Sequence, residues 1–242
     1  MSSRDEMLGV IRNILKTHEK GNPLASNRKL PPPLEDVMPL IPPGELLERF
    51  ESELQSLGCN THRASIWSEL EEKLYSILEQ AQAQSVVLSR NSFLHELQVG
   101  KMLDHRGIRV VVWPASTEKE PEGSFFHDEC FAAGAGITGV DFALAESGSL
   151  VLTSATEGSQ LASLAPPVHI ALYRRSQIRA TLDEVLQNLP ISCDPGKPSP
   201  ARSVVFVSGT SKTADIEQIL VRGVHGPRSV HAILVEESCL EG

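Results

Sequence analysis

From residue 85 to residue 235, short aliphatic runs alternate with helical patterns, and this alternation limits the fold more than any other feature of the chain. The runs Ser85–Leu88, Ile108–Trp113, Ser149–Thr153, His169–Tyr173, Ser203–Ser208 and Val230–Val235 are strand-sized and rich in Val, Ile and Leu. Near-continuous runs of this kind suit strands covered on both faces, and their alternation with helices predicts a mostly parallel sheet flanked by helices. The intervening helices are expected around 93–105, 181–189 and 212–222. Two more precede the first strand: one at 44–58, with Leu47, Phe50, Leu54 and Leu57 on one stripe, and one at 65–83, with Ile66, Leu70, Leu74, Ile77 and Leu78. In such sheets ligands bind beyond the carboxyl ends of the strands, so the loops there are the first place to look for a site.

The amino-terminal region reads differently. Residues 2–19 form an amphipathic pattern (Met7, Leu8, Ile11, Ile14, Leu15) that stops at Gly21. Seven prolines between residues 22 and 43 exclude a helix interior and favour extended chain. The expected organisation is an arm and linker over 1–43 and an α/β domain over 44–242, the arm being free to dock on a partner.

Composition narrows the partners. A formal net charge of −9, with no Lys/Arg cluster, argues against nucleic acid and anionic membrane surfaces. The apolar runs fall far short of the ~20 residues needed to span a bilayer. The start MSSRDEMLGVIRNIL lacks a secretory apolar run and cleavage site, so a cytoplasmic location is expected. Cys59, Cys130, Cys193 and Cys239 are scattered, and no pair has the spacing of a zinc or iron–sulfur ligand set. They read as buried small residues, and no cofactor is expected in this chain. His127, Asp128, Glu129 and Cys130 are adjacent and point in different directions on any regular element, so no metal site is expected there.

Two segments carry candidate chemistry. Gly134, Gly136 and Gly139 satisfy G-x-G-x-x-G, but no aliphatic strand precedes them and no long helix follows, so a dinucleotide site is rejected. The same stretch, GITGVDFALAESGSLVLTS, is expected to form a turn, a two-turn helix over Val140–Glu146 and a tight turn at Gly148. Asp141 and Glu146 are its polar exceptions. Glu146 would then sit at a helix C-terminus, where the dipole disfavours a carboxylate unless it is solvated or held for a purpose. The second segment follows the strand SVVFVS: Gly209, Thr210, Ser211, Lys212, Thr213, Ala214 and Asp215. Ile216, Ile219 and Leu220 share a helical face, placing a helix start at 211–213 with Ser211 or Thr213 as the N-cap. A glycine, hydroxyls and a lysine at a helix N-terminus would make an anion cradle for a phosphate or carboxylate. Asp215 would either oppose an anion or accept from a substrate hydroxyl. The turn after Val221 brings His225 toward the strand ends.

Taken together, GITGVDFALAESGSLVLTS, SLAPPVHIAL and SGTSKTADIEQILVRGVHGPRSVHAILV resemble the LUD-domain (lactate utilization) family over roughly residues 45–236. The resemblance implies a NagB/RpiA/CoA-transferase-like α/β fold. It also implies a place in a multi-protein system that oxidises L-lactate to pyruvate beside iron–sulfur partner proteins, this chain being the member without a cluster. Two positions depart from the family pattern: Thr210 stands where a proline is frequent, and Gln160 near the position of a frequent arginine. The CoA-transferase likeness, in which a glutamate before a glycine turn is the nucleophile, makes Glu146 the candidate catalytic residue of a stand-alone acyl-transfer reading. The ligand-binding candidates are Gly139, Asp141, Gly209, Thr210, Ser211, Lys212, Thr213, Asp215 and His225.

Overall fold

A computed structural model describes residues 7–10, 40–113, 125–191, 201–214, 220–222 and 226–240. The chain divides into two units, Met1–Leu40 and Ile41–Gly242. Of the first, residues 7–10 are helical; the proline-rich stretch up to residue 39 lies outside the described residues.

In the second unit the strands are, in chain order, β1 (Asn60–Ala64), β2 (Ser85–Leu88), β3 (Arg109–Val112), β4 (Ala135–Thr138), β5 (Phe142–Leu144) and β6 (Ser149–Thr153). They continue with β7 (Val168–Tyr173), β8 (Ile178–Arg179), β9 (Val204–Val207), β10 (Lys212–Ala214), β11 (Leu220–Arg222) and β12 (Ser229–Val235). The helices are α1 (Leu46–Ser56), α2 (Trp67–Gln80), α3 (Ser92–Glu96), α4 (Val99–Asp104), α5 (Phe125–Ala132), α6 (Ser154–Glu157), α7 (Leu161–Leu164) and α8 (Leu182–Asn188).

Six strands form a central sheet in the order β1-β12-β7-β4-β2-β3, and every pairing in it is parallel. One face packs on α2, α3 and α4 through Val86, Leu88, Ile137, Ile170, Leu172 and Ile233. The other face carries Ala171, Tyr173, Val230, Ala232 and Leu234, which pack on α1 and on a second, four-stranded sheet, β8-β5-β6-β9. Phe50 of α1 meets Tyr173 edge to face at 5.2 Å, and both rings are fully buried. The outer side of the small sheet, with Leu144 and Val151, is closed by Val185 of α8. Strand β6 is thus sandwiched, which is why all five of its residues are buried.

The crossover from β2 to β3 runs through α3 and α4 on the first face. The return from β3 to β4 runs through α5, whose Phe126 and Cys130 pack with Val87 on the opposite face. The winding therefore reverses between β2 and β4, the position in an open parallel sheet where a crevice opens at the carboxyl ends of the strands.

The structure corrects several expectations. No helix covers Val140–Glu146. Strand β5 runs antiparallel to β6 there, with the turn at 145–148 between them. Ala143 and Ala145 face the main core while Phe142 and Leu144 face α8, so the period is two and both faces are covered. The helix-favouring Ala, Leu and Glu of this stretch yield to that packing. Nor does a helix begin at 211–213. Lys212–Ala214 and Leu220–Arg222 pair as antiparallel strands in the register Thr213↔Val221, two β-branched residues suited to extended backbone. The expected helix at 93–105 is broken at Gln98, which has φ 50°, into α3 and α4. Strands β1 and β4 and helix α5 lie where no element was expected.

Candidate functional site at the winding reversal

The reversal brings together the ends of β2 and β4 and helix α6. Glu157, the last residue of α6, is fully buried, and its carboxylate is bonded from several sides. Its Oε2 accepts from Ser89 Oγ at 2.5 Å and from the Gly139 backbone N–H at 3.1 Å. Its Oε1 accepts from Asn91 Nδ2 and lies 3.3 Å from Thr156 Oγ1. Burial pushes the carboxyl up to about 7; the Ser89 and Asn91 donors oppose that rise, and the charge of Asp141 adds to it. Asp141 in turn accepts from Thr153 N at 2.7 Å and Thr156 Oγ1 at 2.9 Å. Its own carboxyl is raised by burial, partly offset by these donors. The two carboxyl groups thus meet at one hydroxyl, that of the exposed Thr156, with Glu157 buried and Asp141 partly buried.

Local sequence explains the placement. Asn91 caps α3 by accepting from Phe93 N at 2.9 Å, which orients its amide so that Nδ2 faces Glu157. Gly139 is required by proximity: a Cβ there would meet Asn91 side-chain atoms at 2.3–2.8 Å. Gly158, at φ +75°, lets the chain leave α6 against the Trp113 ring.

On the far side of Ser89 and Asn91 lies a cavity of about 480 Å³ at the carboxyl ends of β2 and β3. Leu88, Leu94, Val112 and Trp113 give it apolar walls, and Arg90 and Lys101 add two cations. Glu96, also on the wall, is ion-paired with Arg174, so the lining keeps a positive excess. The Arg90 guanidinium is anchored by donating to the carbonyls of Ser154 and Ala155, both at 3.1 Å. Chemically, this arrangement offers anchored positive charge, apolar walls and a hydroxyl backed by a carboxyl that can exchange a proton near neutrality.

Of the residues singled out from the sequence, Gly139 and Asp141 belong to this network. Glu146 does not. It lies in the β5–β6 turn, where its Oε1 accepts from Leu182 N at 2.8 Å and so caps the start of α8; its Oε2 is buried without a hydrogen-bond partner. The carboxylate expected at a helix C-terminus stands instead at a helix N-terminus, where the dipole favours it.

Residues 209–214 do not form a helix N-terminus. Gly209 has φ +116° and lies against the Leu57 carbonyl, Thr210 is buried with its Oγ1 unpartnered, and the Ser211 N–H donates to Pro227 O at 3.0 Å. Lys212 and Thr213 lie in β10, so neither stands at a helix N-terminus with its dipole and free N–H groups. Asp215 and His225 lie outside the described residues. His127 pairs with Asp128 at 3.2 Å, and Glu129 with Arg109 at 2.6 Å. Cys59, Cys130 and Cys239 are buried, while Cys193 is outside the described residues. Among the described residues no helix is long and apolar enough to cross a membrane.

Sequence reasoning missed Ser89, Arg90, Asn91 and Glu157. The first three had a usable signal, since they follow a buried strand directly and open a helix. Glu157 had none.

Fold and site define an α/β protein with an open, parallel, doubly wound sheet and a positively lined crevice beside its winding reversal, at the carboxyl ends of β2 and β3. The LUD domain model matches residues 47–235, and the chain belongs to that family. It is similar to lactate utilization protein C of Halalkalibacterium halodurans, 32% identical over 69% of this chain and 70% of the relative. A second lactate utilization protein C, from Shouchella clausii, is 28% identical over 98% of this chain and 99% of its own. Among solved structures, a DUF162 family protein from Deinococcus radiodurans superposes with a TM-score of 0.56 at 25% identity, covering 81% of this chain and 99% of that one.

Proposed function

We propose that this chain is the cluster-free component of a lactate utilization system. In this reading it acts in the cytoplasm beside iron–sulfur partner proteins in the oxidation of L-lactate to pyruvate, and it binds a small organic acid in the crevice at the carboxyl ends of β2 and β3. The family and the names of its relatives support the pathway. The observation that carries the ligand class is the crevice itself, in which Arg90 and Lys101 face a cavity walled by Ser89 and Asn91, with Glu157 behind them. A carboxylate would pair with the cations. A 2-hydroxyl or 2-keto oxygen would face Ser89, whose hydroxyl donates or accepts according to the protonation of Glu157. The same reading assigns no cofactor to this chain and leaves redox chemistry to the partners.

Calorimetric titration of L-lactate and pyruvate into the wild type and into Lys101→Ala tests the ligand. A charge-assisted contact is worth roughly 1.5–3 kcal/mol, so the variant should bind about tenfold to a hundredfold more weakly. Equal affinity, or no heat in either protein, removes the crevice from the reading. Affinity capture of the full chain from its native cell tests the partners, with co-purifying iron–sulfur proteins as the expected result.

A further inference from the structure

At the opposite, amino-terminal end of the sheet, three side chains on the α2 face form a single hydrogen-bonded line. Ser229 Oγ lies 2.8 Å from His231 Nε2, and His231 Nδ1 lies 3.1 Å from His62 Nε2. The two imidazole planes are 12° apart with centroids at 5.4 Å, so the short contact joins ring edges. The line follows from register: Ser229 and His231 are two residues apart on β12, and His231 is the parallel partner of Asn60, two residues before His62 on β1. All three residues, with Asn60 and Lys73, line a cavity of about 560 Å³ that is separate from the crevice at the ends of β2 and β3.

We propose that Ser229, His231 and His62 form a nucleophile–base–orienter set that catalyses acyl transfer from small carboxylic esters. The diagnostic geometry for such a set is a hydroxyl within hydrogen-bond reach of a base that a third group orients, and both contacts here meet it. Only one tautomer arrangement satisfies the line with Ser229 as donor. His231 accepts at Nε2 and donates from Nδ1 to His62 Nε2. Burial first, and the neighbouring ring second, push His231 down to about 4, so it is neutral and able to accept at pH 7.

In the reaction, Ser229 Oγ attacks the ester carbonyl carbon while its proton passes to His231 Nε2. The tetrahedral oxyanion faces the Lys73 ammonium and the Asn60 amide, the two donors among the lining residues named above. Collapse breaks the bond to the leaving alkoxide, which takes the proton back from His231. Water then repeats the sequence on the acyl-serine and releases the acid. His62 is uncharged and touches no reacting atom, so it is a positioning residue: it fixes the tautomer and ring orientation but lends no charge to the imidazolium.

The test is covalent. The full chain is treated with a fluorophosphonate probe, the labelled peptide is sequenced by mass spectrometry, and hydrolysis of p-nitrophenyl acetate is followed in parallel. One equivalent of label on Ser229 is expected, together with an initial burst of p-nitrophenol. Ser229→Ala and His231→Gln should abolish both. His62→Gln should keep the labelling site, slow the burst at least tenfold and alter the pH profile of the rate, which a merely structural role would not do. Label on another residue, no label at all, or a Ser229→Ala variant that hydrolyses at the wild-type rate overturns the proposal. Labelling of the wild type settles the point even if a variant fails to fold.

Discussion

Replacing Glu157 by Gln should change the pH dependence of stability in a way that no surface carboxylate could. The folded carboxyl is raised from 4.5 to about 7, chiefly by burial. The folded state therefore holds this proton more tightly than the unfolded chain. The contribution of Glu157 to stability is greatest below pH 4.5, declines as pH rises, and levels off above about 7. A displacement of that size corresponds to about 3 kcal/mol, with no discount for solvent screening because the side chain is fully buried. Gln does not titrate, so it escapes the loss. It carries its own penalty, because one of the three donors, Ser89, Asn91 or the Gly139 N–H, must then face an amide NH₂. That mismatch costs about 1–3 kcal/mol at every pH. The variant should thus be less stable than wild type at pH 4.5 and close to it, or above it, at pH 8. Urea unfolding at half-unit pH steps, compared at matched m-values, gives the difference curve. The difference isolates Glu157 from His169 and His231, held by burial at about 3 and about 4, whose contributions run the other way below pH 6.5. A wild-type-minus-variant difference that stays flat from pH 4.5 to 8 would refute the buried, proton-exchanging carboxyl.

Three further outcomes follow from named contacts. His169→Gln keeps a donor for Thr138 Oγ1 and removes a group that resists protonation, so the loss of stability between pH 6.5 and 4.5 should shrink by about 2–3 kcal/mol in urea titrations. Gly136→Ala would place a methyl 1.8 Å from the Ala162 carbonyl, a backbone atom that cannot rotate away, so no cooperative thermal transition is expected. Glu146→Ala removes the acceptor for Leu182 N and should cost about 1 kcal/mol of stability while leaving lactate affinity unchanged; a lost ligand response at unaltered stability would restore Glu146 as a chemical residue.

What the sequence made legible depended on how much of each element's burial is written in its own residues. Strands β2 and β6 match the expected bounds residue for residue, because both are covered on both faces and are built around the aliphatic runs Val-Val-Leu and Leu-Val-Leu. Strand β1, Asn-Thr-His-Arg-Ala, is an edge strand with one buried residue, and nothing in its composition marks it. It exists because β12 offers it a parallel partner far along the sequence, Asn60 pairing with His231 and His62 with Ile233. Strand β4 contains Gly136 because α7 lies directly on it, so the residue that disguised the strand as a turn is the one the packing demands. The 140–146 stretch carried helix-favouring residues and an alternating burial pattern at once, and tertiary cover on both sides decided for the strand.

The site divides along the same line. Ser89 and Asn91 could have been reached from the rule that ligands gather at strand carboxyl ends, since they follow β2 directly. Glu157 could not. It ends a four-residue helix beside a glycine, a setting that in sequence reads as solvated. Its importance arises only when β2 and β4, 47 residues apart at Leu88 and Ala135, become neighbours and close over it. A carboxyl group placed at that junction without a compensating cation is a local cost that packing alone does not explain, because an apolar side chain would fill the same volume without desolvating a charge. Ser89 also connects the carboxyl to the crevice that opens beside the reversal, at the ends of β2 and β3, so the cost falls where a ligand could draw on it.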